Sequence, residues 1–334
     1  VRLLVTGGCG FIGSAFVRLA LGRGAEVVNL DKLTYAGNPA NVAEVADDPR
    51  YRFVHADIAD ASPVADAIAG CDAVVNFAAE SHVDRSILEP AAFIRTDVVG
   101  TAVLLDAARG AGVGRFVQVS TDEVYGSIPR GAFRETDPIS PSSPYSASKA
   151  GGDLQVLAWH RTYGIDAVVT RGSNTFGPRQ YPEKLIPLFV TNALDGEPLP
   201  VYGDGMQVRD WIHADDHCEG IWTALERGTA GEVYNVGGGY EAPNMEITRR
   251  ILELTGRDES LIRHVEDRPG HDRRYALDTT KLRALGWAPK RSFAEALSDT
   301  VEWYRDRREW WEPIKRGDYL RYYEAQYGGR AAHS

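Results

Sequence analysis

The apolar run Leu3-Leu4-Val5-Thr6 leads straight into Gly7-Gly8-Cys9-Gly10-Phe11-Ile12-Gly13, and a stretch of helical length and pattern, residues 14–23, follows. Glycines at 7, 10 and 13 permit a tight turn, a close approach of backbone to a ligand and close helix-on-strand packing. The segment therefore predicts strand, turn and helix in that order. Short apolar runs at 26–30, 52–55, 73–77, 116–120 and 167–171 continue the pattern, bounded by Gly, Asp or Asn, with helical stretches such as 63–69 and 101–110 between them. Strands alternating with helices imply right-handed crossovers and a parallel sheet covered on both faces. The prediction is an α/β chain built on a doubly wound parallel sheet. In such a fold ligands bind beyond the carboxyl ends of the strands, here Thr6, Asp31, Asp57, Phe77 and Ser120.

Past about residue 172 the texture changes. Residues 177–202 are dense in proline, glycine and aromatics, a strand-then-helix signal returns at 207–225, and another apolar run covers 232–236. From Gly237 the chain reads as helical and ends in an aromatic-rich tail. The expected division is a cofactor domain, 1–171 rejoined by about 206–236, and a smaller mixed α/β substrate-binding domain, 172–205 with 237–334.

The glycine turn, opening a helix, predicts a Rossmann-like dinucleotide site: the helix N-terminus offers free N–H groups and a positive dipole end to a pyrophosphate. Asp31 ends the second strand, eighteen residues beyond Gly13, where a carboxylate accepts both hydroxyls of an adenine ribose and repels a 2′-phosphate. NAD is thus expected over NADP, with the adjacent Lys32 as a softening influence. Asp57-Ile58 at the third strand end fits an adenine contact or a plain helix cap.

Tyr145-Ser146-Ala147-Ser148-Lys149 sets a phenol and an ammonium at i and i+4 on one helical face. A tyrosine near its ordinary value of about 10 is a poor base at neutral pH. A neighbouring ammonium, with the positive nicotinamide ring, is expected to favour phenolate. Ser120-Thr121 at a strand end can orient a substrate hydroxyl toward that tyrosine. Together these residues predict hydride removal from a secondary alcohol.

On these motifs the chain resembles the extended short-chain dehydrogenases/reductases of the NAD-dependent epimerase/dehydratase family, and among them the dTDP-glucose 4,6-dehydratases. The most specific signals are Ala79-Glu80-Ser81-His82-Val83-Asp84-Arg85-Ser86 and Ser120-Thr121-Asp122-Glu123-Val124-Tyr125-Gly126. Pro182-Glu183-Lys184-Leu185-Ile186-Pro187 and Asp267-Arg268-Pro269-Gly270-His271-Asp272 complete the set. The resemblance implies oxidation at C4 of dTDP-glucose, elimination of water across C5 and C6, and return of hydride to C6 on one bound NAD. It implies Thr121, Asp122, Glu123, Tyr145 and Lys149 as the catalytic set, with Glu123 the base at C5 and Asp122 the acid for the departing C6 hydroxyl. Adjacent carboxylates in a partly dry cleft disfavour double ionisation, so one can stay protonated.

The resemblance further implies cofactor contacts from Gly7, Gly10, Phe11, Ile12, Gly13, Asp31, Lys32, Leu33, Thr34, Asp57, Ile58, Phe77, Ala78, Ala79, Ser81, Thr96, Tyr145, Lys149 and Thr175. Ser81 and Thr121 would approach the glucosyl group. Asn174, Lys184, Leu185, Pro200, Val201, Tyr202, Arg209, Asn244, Asp267, Arg268, Pro269, Gly270 and His271 would hold the nucleotide. Arg209 and Arg268 suit a diphosphate, because guanidinium binds phosphate oxygens in pairs. The family usually shows Asn-Asn-Tyr where this chain has Asn174-Thr175-Phe176, which puts one cofactor-side hydrogen bond in question. A 4-epimerase on the same fold is the rival enzyme, and such epimerases lack the acid pair. A non-catalytic dinucleotide-binding subunit is the rival non-enzyme, and it would be expected to lose Tyr145, Lys149 or Glu123. A homodimer through residues 101–110 and 145–162 is the family expectation.

Composition narrows the partners. Of 334 residues 43% are apolar and 25% charged, as in an ordinary globular chain, and the net charge is −10 without a basic block. Nucleic acid and anionic membrane are poor partners for such a surface. Cys9, Cys71 and Cys218 make an odd number with no C-x-x-C spacing, which predicts free thiols. With no signal-peptide or membrane-spanning pattern read at the start of the chain, a cytoplasmic location is expected. His213-Ala214-Asp215-Asp216-His217 has metal-like spacing but is read as a strand-to-helix junction capped by its aspartates, so no metal is expected. Trp303, Trp310, Trp311 and residues 319–323 are read as packing of a C-terminal helix, and residues 305–308 as a solvated helix face.

Overall fold

The computed structural model describes residues 1–316 and Tyr323. Seven parallel strands form the main sheet: β1 (Arg2–Thr6), β2 (Glu26–Asp31), β3 (Tyr51–His55), β4 (Ala73–Asn76), β5 (Arg115–Thr121), β6 (Ala167–Gly172) and, after an excursion, β10 (Val233–Val236). Their order is β10-β6-β5-β4-β1-β2-β3. Alternate side chains serve opposite faces, as the pleat requires. Leu3, Val5, Val75 and Val117 pack with Phe16 and Ala20 of helix Phe11–Gly22 and with Ile221 and Trp222 of helix Ala214–Arg227. Leu4, Val74, Phe116 and Val169 pack on the other face with Val64, Leu104 and Val156 from helices Ala61–Ile68, Thr101–Ala111 and Pro144–Tyr163. The predicted doubly wound sheet is present. Its strand order reverses between β1 and β4, which opens the crevice at their carboxyl ends.

Two small sheets lie beyond that edge: β7 (Asn174–Phe176), β9 (Val208–His213) and β11 (Tyr240–Pro243) in the order β11-β9-β7, and β8 (Leu199–Tyr202) beside β12 (Ile262–Val265). They share a second core with Phe189, Trp211, Ile251, Tyr304 and Trp311. The helical reading after Gly237 is corrected here by two strands. Gly238 leaves only 1.9 Å between a notional Cβ and the Trp211 carbonyl oxygen, so the glycine run lets the chain pass close over β9 before pairing with it. The β8–β12 pairing joins segments some sixty residues apart, a contact with no local signature.

The junction at 213–217 is also corrected in detail. His213, not an aspartate, caps helix Ala214–Arg227, its Nδ1 accepting from the Asp215 N–H at 3.2 Å. The Asp216 carboxylate turns away and accepts from the backbone N–H groups of Lys290 and Arg291. Among the described residues no cluster of three metal-ligating side chains occurs, and no helix is long and apolar enough to cross a membrane. Trp303, Trp310 and Trp311 pack with Tyr304 in the second core, residues 305–308 are exposed, and of residues 319–323 only Tyr323 lies within the described chain.

Candidate active site

A cavity runs along the carboxyl edge of the sheet from Asp31 to Glu123. At its floor Gly7 has φ +68°, and a Cβ there would sit 2.7 Å from the Ala78 amide nitrogen; one on Gly13 would sit 2.2 Å from the Gly7 carbonyl oxygen. These two positions exclude any side chain, which is what a backbone cradle for a pyrophosphate demands. Asp31 is buried, and its two carboxylate oxygens accept from the Cys9 and Leu33 N–H groups at 2.8 Å each. Each oxygen keeps a lone pair for a ribose hydroxyl. Lys32 does not neutralise Asp31; it pairs with Asp57 at 2.8 Å, while the other Asp57 oxygen accepts from the Ala59 N–H. The helix-cap reading of Asp57 is corrected: helix Ala61–Ile68 starts after Asp60, and Asp57 braces the turn before it while standing on the cavity wall.

Of the expected cofactor contacts, all but Leu33 line this cavity. Leu33 adopts φ +55° and contributes its backbone N–H to Asp31 instead. Thr175 lines it, but its hydroxyl lies 2.8 Å from His217 Nδ1 and 3.1 Å from the Ser173 carbonyl oxygen. Phe176 is buried against Trp211 and Phe293 and does not reach the cavity.

The chemical residues meet where β5 ends. Thr121 caps the short helix Asp122–Tyr125, its hydroxyl accepting from the Glu123 N–H. This turn drives Asp122 inward to 1% exposure, with Oδ1 3.3 Å from the Thr121 hydroxyl and Oδ2 without a partner. Burial pushes the Asp122 carboxyl well above the usual carboxylate range, and the charges of Glu123 and Asp210 push it further. The protonated form of Asp122 is therefore favoured. Its neighbour Glu123 stays partly exposed.

Tyr145 and Lys149 occupy the first turns of helix Pro144–Tyr163, whose start is set by a Ser143–Ser146 capping box. The Lys149 ammonium donates to the Val119 carbonyl oxygen at 2.9 Å. Without the nicotinamide ring the Tyr145 phenol is not lowered: burial, then the charges of Glu123 and Asp97, hold it well above 10, and a hydrogen bond with Thr121 only partly opposes them. Within the protein alone Tyr145 is a neutral phenol.

A second cavity adjoins the first and shares Glu123, Asn174, Glu183 and Lys184 with it. Ten of the expected nucleotide contacts line it: Asn174, Lys184, Leu185, Pro200, Val201, Tyr202, Arg209, Asn244, Arg268 and His271. Arg268 pairs with Asp84 at 3.3 Å and leaves its buried Nε unpartnered, and the Asn174 and Asn244 amide oxygens are unpartnered as well. Arg209 lies over the Tyr275 ring and is held by the Val208 and Asp272 carbonyl oxygens. Asp267, Pro269 and Gly270 stand behind the wall. Asp267 bonds His271 at 2.5 Å and receives a hydrogen bond from Gln207. Ser81 and Thr121 line the first cavity only.

The family model described as GDP-mannose 4,6 dehydratase matches residues 4–300. A dTDP-glucose 4,6-dehydratase of Streptomyces niveus is 57% identical over 325 residues, covering 95% of this chain and 97% of the relative. The chain belongs to the dTDP-glucose 4,6-dehydratase family. The dTDP-glucose 4,6-dehydratase of Streptomyces venezuelae, solved with NAD and TYD bound, is 58% identical with a TM-score of 0.93, covering 94% of this chain and all of that one. A Thermus thermophilus UDP-glucose 4-epimerase solved with NAD has the same fold at 34% identity, TM-score 0.86, covering 92% of this chain and all of that one. Fold alone does not separate dehydratase from epimerase. The expected acid pair, Asp122 and Glu123, lines the first cavity.

Several lining residues of this dehydratase-family site escaped the sequence. Glu183 is buried and pairs with Arg85 at 3.0 Å, and Asp84, Trp211, Ser173 and His217 complete the walls. Glu183 and Asp84 lie inside recognised motifs, a signal that was present. Trp211 carried none and His217 only the discounted metal-like spacing, because strand pairing and helix docking bring them to the site.

Proposed function

We propose that this chain converts dTDP-glucose to dTDP-4-keto-6-deoxyglucose and water, with NAD held in the first cavity and the nucleotide in the second. Residues 1–171 with 206–236 then form the NAD-binding part, and 172–205 with 237–334 the nucleotide-sugar part. The single observation that carries the reading is the unequal acid pair: an Asp122 whose burial favours its protonated form, beside a Glu123 that faces both cavities. Elimination of water across C5 and C6 needs a base and an acid at one sugar at the same time. Inversion at C4 needs proton transfer only at the C4 hydroxyl, and neither a base at C5 nor an acid at C6.

Bound NAD supplies the hydride acceptor at C4 and the donor at C6, and its positive ring supplies the lowering of Tyr145 that the protein alone does not. Tyr145 takes the proton of the C4 hydroxyl, Thr121 hydrogen-bonds the phenol, and Lys149 adds positive charge beside it. With a ketone at C4 the C5 proton is acidified; Glu123 removes it. Asp122 gives its proton to the departing C6 hydroxyl. The Arg268 and Arg209 guanidinium groups hold the diphosphate, with Lys184 a further cation of the same wall. Incubation with dTDP-glucose in D2O tests the whole reading: loss of one water with deuterium at C5 is expected. An unchanged mass with C4 inverted overturns it in favour of the epimerase.

Ile94, Val99 and Leu154 are roughly half exposed and Leu88 is 70% exposed, on adjoining elements beside helix Pro144–Tyr163. A second copy of this chain covers them, with residues 101–110 and 145–162 at the contact. Sedimentation equilibrium should give a dimer, and a monomer at micromolar concentration overturns it. Three free, buried cysteines suit a reducing cytoplasm.

A further inference from the structure

Between the short helix Pro90–Phe93 and helix Thr101–Ala111 the backbone widens into a seven-residue π-helical stretch, Ile94–Gly100. Such stretches are rare and concentrate at functional sites. This one directs Asp97 inward to 1% exposure, against the helix that carries Tyr145 and Lys149. The approach is close: a Cβ on Gly152 would lie 2.8 Å from the Asp97 carbonyl oxygen, and one on Gly151 would lie 2.8 Å from Val98 Cγ2. Asp97 Oδ2 accepts from the Ser148 hydroxyl at 2.5 Å, and Oδ1 accepts from the Glu80 N–H at 3.3 Å. Ser148 lies between Tyr145 and Lys149 on the same helical turn and also contacts the Tyr145 carbonyl oxygen at 2.8 Å.

We propose that Asp97 is a positioning residue for the Tyr145–Lys149 pair: through Ser148 it fixes the turn that carries both, and its charge sets how readily Tyr145 ionises. The charged groups around it are few. From helix Pro144–Tyr163 Lys149 attracts the carboxylate, and from the loop after β4 Glu80 repels it. Arg95, on its own stretch, turns outward to Asp57 and Asp60. Glu123 and Asp122, at the end of β5, act with Asp97 on Tyr145. Burial holds the Asp97 carboxyl at about 6, with Lys149 opposing. Above that pH its negative charge works against phenolate at Tyr145. Below it Asp97 takes up a proton and the opposition is lifted. The pair thus keeps more phenolate at acid pH than a fixed charge would allow, which broadens the range over which C4 oxidation proceeds.

The test rests on the proposed function only where substrate is used. Asp97→Asn keeps the shape and removes the charge, and the Ser148 hydroxyl retains the Tyr145 carbonyl as acceptor. In NAD-loaded protein, the near-ultraviolet phenolate titration of Tyr145, read as the difference from Tyr145→Phe, should move toward acid by about half to one pH unit. The rise with pH of single-turnover C4 oxidation on dTDP-glucose should move by the same amount. Ser148→Ala, which removes a hydrogen bond to ionised Asp97 and so keeps it protonated to higher pH, should move both in the same direction by less. An unchanged titration in both variants overturns the proposal, as does a uniform loss of rate with an unshifted titration, which marks a purely structural tie. If wild-type protein leaves dTDP-glucose untouched, the proposed function fails, and the phenolate titration still decides the role of Asp97.

Discussion

Replacing Glu123 by Gln removes one charge and one base while keeping the shape of the side chain, and its backbone N–H still bonds the Thr121 hydroxyl. Loss of a positioned general base costs about 10²–10⁴ in rate, or roughly 3–5 kcal/mol of barrier. Two further effects follow from where Glu123 sits. Its charge is the largest contributor after burial to the upward shifts of both Asp122 and Tyr145. In the variant both pKa values fall. Burial and Asp210 still push Asp122 upward in the variant. Tyr145 ionises more readily, so the rise of C4 oxidation with pH should move toward acid by about half a unit. The expected phenotype is therefore split. Product release as followed by mass spectrometry drops about 10²–10⁴-fold, while single-turnover reduction of bound NAD persists and shifts toward acid. Water release at the wild-type rate would refute the assignment of Glu123 as base. Equal loss of oxidation and water release would refute the separation of roles between Glu123 and Tyr145.

Arg268→Ala should raise KM for the nucleotide sugar about 10–100-fold with a smaller change in kcat, since hydrogen bonds to a charged group contribute about 1.5–3 kcal/mol; steady-state kinetics read it, and a kcat-only effect counts against a diphosphate contact. His217 is held down at about 4 by burial alone. A depressed histidine costs stability as pH falls from its unfolded value near 6.5 toward 4, because only the unfolded chain takes up the proton. The loss reaches about 2 kcal/mol at pH 5. His217→Gln should flatten the fall in denaturation midpoint between pH 7 and pH 5, and an unaltered slope would show that the histidine titrates freely in the folded protein.

The cofactor end was legible from the sequence because each of its requirements is local. Gly7 and Gly13 are demanded by turns within a seven-residue segment, Asp31 by the end of the adjoining strand, and Lys149 by the pitch of one helix. Leu33 shows the limit: it lies in the right loop, yet a left-handed backbone spends it on supporting Asp31. The nucleotide end was less legible. Asp267, Pro269 and Gly270 belong to the correct motif but stand behind the wall. Trp211 and His217 reach the cavities through strand pairing and helix docking that no local pattern encodes.

The same boundary runs through the chemistry. Residue order alone established which groups are available: a phenol and an ammonium one helical turn apart, and two carboxyls side by side at a strand end. Protonation was decided in three dimensions, because ionisation depends on how much water a group keeps and on charges brought close from distant parts of the chain. Asp122 is pushed toward its protonated form because a four-residue turn buries it near Asp210, eighty-eight positions further on. Tyr145 is held toward its neutral form because burial and the carboxylates of Glu123 and Asp97 outweigh the hydrogen bond with Thr121. The glycine turn near the start of the sequence predicted where a dinucleotide lies; the folded packing around β5 sets the buried Asp122 apart from the partly exposed Glu123, the difference on which the proposed acid and base rest.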